Sequence, residues 1–351
     1  MQILITGSRG YIGMPLVYEL SKLHNVIGVD NLSRENWVRE CTGKKENYLE
    51  YPDIINNTII GDLTDREFVK RLLAIHKPRV IIHLASQPSM PYSDMSGERA
   101  SFTQVNNLTM CLNLLWAIKE LDLNTRLVIT TTTGIPGQRY KVIPEEPVIN
   151  SAGSWYHVTR GFDSTNCALA AKQFGIETLE LRTSIVYGVK TSCFREEGFK
   201  TRFDTDRYFG TAINRFVKQA IDSKSITVYG KGLQTKPFIS LEDTIASLIN
   251  SISYKMTSKH EIMNQVTDHI SIKDLAKLIG GKDVIHIDNP RKENETFNMK
   301  FKNTKFLKLL GRKPSVMKSE IEMMKSDIGG VIWFPLKNTL NGLDNSITFS
   351  T

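Results

Sequence analysis

The chain has few cysteines and no long apolar segment. Its 351 residues include four cysteines, Cys41, Cys111, Cys167 and Cys193, whose wide separation matches no metal-ligand spacing. No stretch approaches the roughly 18 apolar residues that a membrane-spanning helix needs. The opening "MQILITG" lacks the basic and apolar regions of a secretory leader. We therefore expect reduced thiols, no metal, no membrane association and a cytoplasmic location.

Charge of one sign is also not concentrated anywhere along the chain. Lys and Arg number 45 against 37 Asp and Glu, which gives a net charge of +8. These cations are dispersed and accompany no zinc-finger, basic-zipper or RNA-recognition signature, so we do not expect nucleic-acid binding. Two interpretations stay open: a solvated basic surface, or attraction of an anionic small molecule.

The first half alternates short apolar runs with helical patterns. The runs are rich in Ile, Val and Leu throughout, as strands buried on both faces of a parallel sheet are. Strands are predicted at 2–6, 25–30, 57–62, 79–85, 126–132 and 177–182, and helices at about 11–23, 65–76, 99–120 and 154–174. This alternation predicts an α/β fold with a Rossmann-type doubly wound parallel sheet.

The pattern changes after about residue 186. The sequence there predicts a charged loop (190–207), a helix (209–223), a strand (225–230), a loop (231–238), helices at 241–253 and 271–279, a strand (284–288) and helices in the last fifty residues. We expect an NAD-binding domain over 1–185 and a smaller mixed α/β nucleotide-sugar-binding domain over 186–351, with interleaved segments. The pattern assigns no structure to the tail, residues 330–351.

A glycine-rich turn directly follows the first predicted strand. In "TGSRGYIG", Gly7, Gly10 and Gly13 are three residues apart, where a tight turn brings the backbone and a helix N-terminus close to a pyrophosphate. Asp30 ends the second strand, where a carboxylate accepts hydrogen bonds from an adenosine ribose and repels a 2′-phosphate. This combination favours NAD over NADP, although Arg34 lies nearby. The alternative is a purely structural glycine turn.

Two further strand ends carry polar side chains. Asp62 ends the third predicted strand, and "HLAS" (83–86) ends the fourth. Ligands bind at the carboxyl ends of strands in open α/β sheets, so we expect both stretches to border the site. Asp62 is equally suited to cap the helix that follows it.

Tyr156 and Arg160 lie one turn apart on the helix predicted at 154–174. A phenol becomes a base for a sugar hydroxyl only if its pKa, about 10, is lowered, and a nearby cation does this. Arginine holds its charge but cannot supply the compact, deprotonatable ammonium that lysine brings to a proton relay. A hydroxyl among Thr130–Thr133 could contact the same oxygen. The alternative is that the pair only packs and solvates the helix.

Together these motifs resemble the extended short-chain dehydrogenase/reductase superfamily. Longer stretches are similar to the UDP-sulfoquinovose synthase family: "QPSMPYSDM" (87–95), "QVNNLTMCLNLLWAIKE" (104–120), "WYHVTRGFDS" (155–164), "IVYGVKT" (185–191), "TRFDTDRYFGTAINRF" (201–216), "ITVYGKGLQTKPFISLEDT" (226–244) and "NPRKENE" (289–295). The resemblance implies an enzyme that forms a transient 4-keto sugar on a UDP-hexose such as UDP-glucose, with tightly held NAD, and that assembles as a homodimer through two long helices.

The resemblance also implies individual roles. Thr132 would polarise the C4 oxygen, Tyr156 would take the C4 hydroxyl proton, and His157 would lie beside the sugar. Arg160 would stand where the family has its catalytic lysine. The cofactor would be held by Gly7, Arg9, Gly10, Tyr11, Ile12, Gly13, Asp30, Asn31, Asp62, Leu63, Leu84, Ala85, Asn106, Tyr156 and Arg160, and the UDP-hexose by Gln87, Tyr187, Thr211, Asn214, Val228, Lys236 and Arg291.

Three positions depart from the family pattern. Arg160 replaces a lysine, Ile135 a glutamate suited to water elimination, and Pro88 an arginine suited to sulfite. The last two changes affect the steps after C4 oxidation. Three functions therefore stay open: a UDP-sulfoquinovose-synthase-like enzyme, a UDP-hexose 4-epimerase, and a non-catalytic relative that binds NAD or a nucleotide sugar.

Overall fold

A seven-stranded parallel sheet forms the larger part of the molecule. The computed structural model describes residues 1–43, 58–196, 198–289 and 298–329. The strands are β1 (Gln2–Thr6), β2 (Asn25–Asp30), β3 (Ile59–Ile60), β4 (Val80–His83), β5 (Arg126–Thr132), β6 (Thr178–Thr183), β7 (Ile185–Tyr187), β8 (Ile226–Tyr229), β9 (Thr235–Ser240), β10 (His260–Gln265), β11 (Asp268–Ser271) and β12 (Val284–Ile287). The large sheet has the order β10-β6-β5-β4-β1-β2-β3, and this parallel sheet confirms the predicted doubly wound fold.

Helices cover both faces of this sheet. They are α1 (Gly13–Ser21), α2 (Arg34–Thr42), α3 (Arg66–His76), α4 (Met90–Ser93), α5 (Gly97–Glu120), α6 (Trp155–Phe174), α7 (Ser192–Glu196), α8 (Ala212–Ile221), α9 (Leu241–Ser251), α10 (Ile272–Ile279), α11 (Thr304–Leu310) and α12 (Met317–Gly329). Within the described residues, none of them combines the length and apolar character needed to cross a membrane.

Alternation along β1 shows how the two cores form. Ile3 and Ile5 pack with residues of α1, α9 and α11 on one face. Leu4 points to the other face and packs with residues of α3, α5 and α6. Both faces of the strand are therefore buried, which explains why its sequence is apolar throughout.

A smaller lobe is built around two short sheets. In it, β9 pairs with β7 in parallel and with β11 in antiparallel orientation, and β12 pairs with β8. Side chains of β7, β8 and β9 pack with α8, α10 and α12 in a separate apolar cluster. The chain then returns to the large sheet, because β10 pairs with β6. Because β10 returns to the large sheet, we propose that the two domains, which divide near residue 185, have interleaved segments.

Some element predictions were wrong. The loop predicted over 231–238 contains the start of β9, and the strand predicted over 57–62 is limited to Ile59–Ile60 in the described residues. Strands β7, β10 and β11 and helices α2, α4 and α7 were not predicted. The tail, 330–351, lies outside the described residues.

Candidate active site

One large cavity lies at the carboxyl ends of the parallel strands, between the large sheet and the smaller lobe. Its volume is about 600 Å³. Residues that follow β1, β2, β4 and β5 line one side, and residues of α8, β8 and β9 line the other. A crevice at the carboxyl edge of such a sheet is where ligands bind in open α/β folds.

The glycine turn forms one end of the cavity. Gly7 follows β1 with φ 70, and a Cβ on it would lie 2.8 Å from the backbone nitrogen of Ala85. A Cβ on Gly13 would lie 2.0 Å from the Gly7 carbonyl oxygen. Since α1 begins at Gly13, its first N–H groups face this backbone-lined end. The shape has room for a pyrophosphate, and its binding at this turn stays a prediction.

Asp30 holds the next turn together. Its carboxylate accepts hydrogen bonds from the backbone N–H groups of Arg9 (2.9 Å) and Leu32 (2.8 Å), so the glycine turn and the end of β2 are tied to one side chain. Asp30 and Asn31 line the cavity. The free lone pairs of a carboxylate can still accept ribose hydroxyls.

Asp62 is used locally. It accepts hydrogen bonds from the backbone N–H and the hydroxyl of Thr64 (both 2.8 Å), and Asn31 Nδ2 donates to it at 3.3 Å. Among the described residues, the cavity wall includes its neighbour Leu63 but not Asp62. The N-cap of α3 is Asp65 rather than Asp62.

The structure brings the four predicted catalytic residues together. Thr132 ends β5, and Tyr156, His157 and Arg160 lie in the first turns of α6; all four line the cavity. Ser154 caps α6 by accepting a hydrogen bond from the backbone N–H of His157. Its hydroxyl also lies 2.9 Å from His157 Nδ1, which fixes the ring orientation.

Burial controls the protonation of this group. It raises the pKa of the Tyr156 phenol, against the effect of the Arg160 cation, while the Asp163 carboxylate raises it further. Burial and the positive charge of Lys236 lower the pKa of His157 to about 4. At neutral pH the structure therefore presents a neutral imidazole beside a protonated phenol.

Arg160 is almost completely enclosed. Its Nη2 donates to the Thr130 carbonyl of β5, and its Nη1 lies 2.8 Å from Asp163 Oδ2. No direct hydrogen bond joins the guanidinium to the Tyr156 hydroxyl among the described contacts. Arg160 lies one helical turn after Tyr156 in α6. Its guanidinium therefore affects the pKa of the phenol through its positive charge and not through a hydrogen bond.

The predicted cofactor residues largely converge. Apart from Asp62, every one of them lines the cavity: Gly7, Arg9, Gly10, Tyr11, Ile12, Gly13, Asp30, Asn31, Leu63, Leu84, Ala85, Asn106, Tyr156 and Arg160. Asn106 is positioned by a hydrogen bond from its Nδ2 to Asn107 Oδ1.

The predicted substrate residues are divided. Thr211, Asn214 and Lys236 line the cavity, and Thr211 caps α8 by accepting from the Asn214 N–H. Gln87, Tyr187 and Val228 are fully buried and do not reach its wall in the described structure. Gln87 Nε2 instead donates to Thr103 Oγ1 and to the Ser89 carbonyl. Arg291 lies outside the described residues.

Residues 198–211, which we call the strap, cross from the smaller lobe to the glycine turn. Thr201 Oγ1 donates to the Tyr11 carbonyl (2.7 Å), and Arg202 Nη2 donates to the Arg9 carbonyl (3.2 Å). Asp204 forms a 2.6 Å ion pair with Arg34. Of the strap, the sequence predicted only Thr211 as a site residue; Thr201, Arg202 and Asp204 were not predicted, although they lie in the predicted charged loop and in a stretch similar to the family. Within the described ranges, no group of three or more His, Cys, Asp or Glu side chains could hold a metal ion.

Comparison with known proteins agrees with this geometry. The model of the NAD dependent epimerase/dehydratase family matches residues 3–279. The chloroplastic UDP-sulfoquinovose synthase of Spinacia oleracea is 32% identical, over 91% of this chain and 73% of that protein. The UDP-sulfoquinovose synthase of Sulfolobus acidocaldarius is 32% identical, over 80% and 78%. The fold is similar to that of UDP-glucuronic acid 4-epimerase from Bacillus cereus in complex with UDP-glucuronic acid and NAD (TM-score 0.72, 22% identity, 94% and 99% coverage).

Proposed function

Because the chain belongs to the NAD dependent epimerase/dehydratase family and is an NAD-dependent enzyme that modifies nucleotide sugars, we propose that it acts on a UDP-hexose such as UDP-glucose through a transient 4-keto intermediate. One observation carries this proposal: Thr132, Tyr156 and His157 meet at one end of a single cavity whose other end is the glycine turn. The sugar and the dinucleotide would therefore meet inside one cavity.

The residues at the sugar end divide the chemistry between them. Tyr156 accepts the proton of the C4 hydroxyl, while the Thr132 hydroxyl hydrogen-bonds the same oxygen. When bound, NAD supplies the hydride acceptor and, in its oxidised form, a positively charged ring. Since burial and the Asp163 carboxylate raise the pKa of Tyr156, the phenol depends on positive charge in the cavity, of which Arg160 is the permanent part.

The other end fits the cofactor by shape. Gly7 and Gly13 clear the space that a Cβ would fill, and the N-terminus of α1 offers N–H groups to the pyrophosphate. Asp30 is placed for an adenosine ribose. Lys236 and Asn214 lie on the opposite wall, where a cation and an amide suit the UDP diphosphate and its ribose.

The steps after C4 oxidation distinguish two functions. The chain as a whole is similar to UDP-sulfoquinovose synthases. The first candidate is therefore a UDP-sulfoquinovose-synthase-like enzyme. However, Ile135 is buried outside the described cavity wall, and Pro88 is part of that wall. Asp30 and Asp204, the two carboxylates of the described lining, lie at the end near Arg34. The location of the two carboxylates favours the second candidate, a UDP-hexose 4-epimerase, which needs no acid for water elimination.

Product analysis by NMR tests both candidates. Purified protein is incubated with UDP-glucose or UDP-galactose, each with and without sulfite. A sulfonated product formed only with sulfite supports a UDP-sulfoquinovose-synthase-like enzyme. Interconversion of UDP-glucose and UDP-galactose supports a 4-epimerase. Tyr156→Phe should lower either rate by about 10²–10⁴-fold. Binding of NAD or UDP-sugar without turnover of any nucleotide sugar would identify a non-catalytic relative instead.

A homodimer is the assembly that we propose. Exposed apolar residues follow one another along two helices that pack side by side: Val105, Leu112 and Trp116 on α5, and Trp155, Phe162 and Leu169 on α6. Spacings of seven and four residues place each set on one side of its helix. We call these six residues the apolar face. Burial against the same face of a second copy would give a four-helix interface.

A further inference from the structure

Asp163 forms a buried ion pair beneath the candidate base. It lies on α6, one turn after Arg160, and its Oδ2 is 2.8 Å from Arg160 Nη1. The side chains are 0% and 2% exposed, so water does not screen the pair. Arg160 Nη2 donates to the Thr130 carbonyl at the same time. Two contacts, one from α6 and one from β5, therefore determine where the guanidinium lies.

Arg160 and Asp163 do not satisfy all of each other's hydrogen-bonding atoms. Arg160 Nε and Nη1 and both carboxylate oxygens of Asp163 have no hydrogen-bond partner among the described residues, although Arg160 lines the cavity. A buried donor without a partner is costly, so a ligand atom in the cavity is an expected acceptor for Nε. Asp163 attracts Nη1 by its charge at 2.8 Å and leaves Nε unpaired.

The charge of Asp163 opposes that of Arg160 at the phenol. Arg160 lowers the pKa of Tyr156, and Asp163 raises it. Burial raises the pKa of the Asp163 carboxyl itself to about 7, against the attraction of Arg160 and the contact of the Cys111 thiol. The titratable groups that act on this pair are Tyr156, Cys111, Cys167, Glu180 and His83.

We propose that Asp163 is a positioning residue, which holds the Arg160 guanidinium against the Thr130 carbonyl, one helical turn from Tyr156, and determines how much of its positive charge acts on the phenol. This inference rests on the proposed role of Tyr156 as the base. It explains how an arginine works at a position where the family pattern has lysine: the guanidinium is fixed by a partner three residues further on. Asp163 does not touch the reacting atoms.

Direct titration of Tyr156 tests the proposal. The protein is labelled with ¹³C at the tyrosine ζ carbon, and Tyr156→Phe identifies the Tyr156 signal. Asp163→Asn removes the opposing charge, so the Tyr156 titration should move down by about one pH unit. Arg160→Met should move it up. Asp163→Glu, which keeps the charge, should stay close to the wild-type curve. NAD content is matched between samples by absorbance.

A control separates this effect from a general loss of stability. Asp243 is also fully buried and pairs with an arginine, Arg312 (2.6 Å), but lies outside the described cavity wall. Asp243→Asn should destabilise the fold without moving the Tyr156 titration. If Asp163→Asn folds and leaves the Tyr156 titration unchanged, the proposal is wrong.

The Tyr156 titration in the wild-type protein is a further measurement, which needs no variant. Ionisation of Asp163 should appear as a second, smaller inflection near pH 7 in the Tyr156 signal. These measurements do not depend on turnover: a shifted titration without any nucleotide-sugar conversion would refute the proposed function but keep the positioning role.

Discussion

At the scale of single residues, buried histidines respond to the same electrostatics as the phenol. His83 ends β4 and is fully buried, with Nδ1 2.7 Å from the Thr6 hydroxyl. Burial and the Arg160 cation lower its pKa to about 3. The pKa of His157 is also lowered, to about 4. Both imidazoles are therefore neutral in the folded chain over a range where free histidine is charged.

The stability of the fold should decrease in acid because of His83. Between about pH 6.5 and pH 3 the unfolded chain binds a proton at this histidine that the folded chain does not, so the free energy of unfolding falls as pH falls. His83→Gln should flatten that dependence. Urea unfolding at pH 7 and pH 4.5 measures it, with His24→Gln, between α1 and β2, as the control. An equally steep loss in His83→Gln would contradict the assignment.

Gly13 should tolerate no side chain. A Cβ would lie 2.0 Å from the Gly7 carbonyl oxygen, so the backbone of the glycine turn must move. We expect Gly13→Ala to destabilise the protein by about 3 kcal/mol or more and to abolish NAD retention. Thermal unfolding and cofactor absorbance measure the two effects. Gly97→Ala, where a Cβ meets nothing within 4 Å, is the matched control and should be close to neutral.

At the scale of elements, helix ends are set by a few polar side chains. Asp65 caps α3 by accepting hydrogen bonds from the backbone N–H groups of Glu67 (2.9 Å) and Phe68 (3.1 Å). This cap fixes the helix that covers the β2–β3 side of the large sheet. The cap lies three residues beyond Asp62, which releases Asp62 for the turn that it forms with Thr64.

Loss of this cap should lower stability modestly. Asp65→Ala removes an acceptor for two N–H groups, and we expect about 1 kcal/mol of destabilisation in urea unfolding. Asp65→Asn keeps the acceptor and should retain most of the stability. A loss as large for Asn as for Ala would show that the carboxylate charge, rather than the cap, is responsible.

The sequence predicted those elements whose burial is evident from the pattern of their own residues. β1 and β5 have continuous apolar centres, Ile3–Ile5 and Leu127–Ile129, because both of their faces are buried there, and α5 and α6 show long helical patterns. The start of β9 falls in the loop predicted at 231–238; Lys236 and Pro237 are unusual in a central strand, yet β9 lies between β7 and β11. β10 pairs with β6, about 80 residues earlier, and no local pattern encodes such a partner.

The site was predicted in part for the same reason. The glycine turn and Tyr156 belong to short motifs, whereas the location of Arg160 depends on Asp163 and on the Thr130 carbonyl. Gln87 and Tyr187 lie close to the site in the chain, but their side chains are enclosed in protein. Spacing shows which residues are near a site, and packing decides which ones reach it.

At the scale of the whole molecule, the apolar face exposes six large apolar side chains on two helices that pack side by side. On α5, Trp116 also contacts Phe174 of α6, with ring centroids 4.9 Å apart, so the two helices present one continuous surface. Aromatic and aliphatic side chains of this kind stabilise association when they are buried together.

Charge on this face should separate the proposed dimer. Phe162→Glu combined with Leu169→Glu should convert a dimer into a monomer in analytical ultracentrifugation, with the fold intact by circular dichroism. Ile75→Glu, a change at another exposed apolar residue on α3, should leave the mass unchanged. A wild-type chain that sediments as a monomer at all concentrations would contradict the proposal.

The strap has a consequence for how the molecule exchanges material with its surroundings. Its contacts with Tyr11, Arg9 and Arg34 all lie on the glycine-turn side of the cavity, and all belong to a segment that continues into α8. We expect a dinucleotide bound at the glycine turn to be released more slowly while these three contacts hold the segment in place. Slow release would suit a reaction that reduces and reoxidises the same cofactor within one turnover, without an external redox partner.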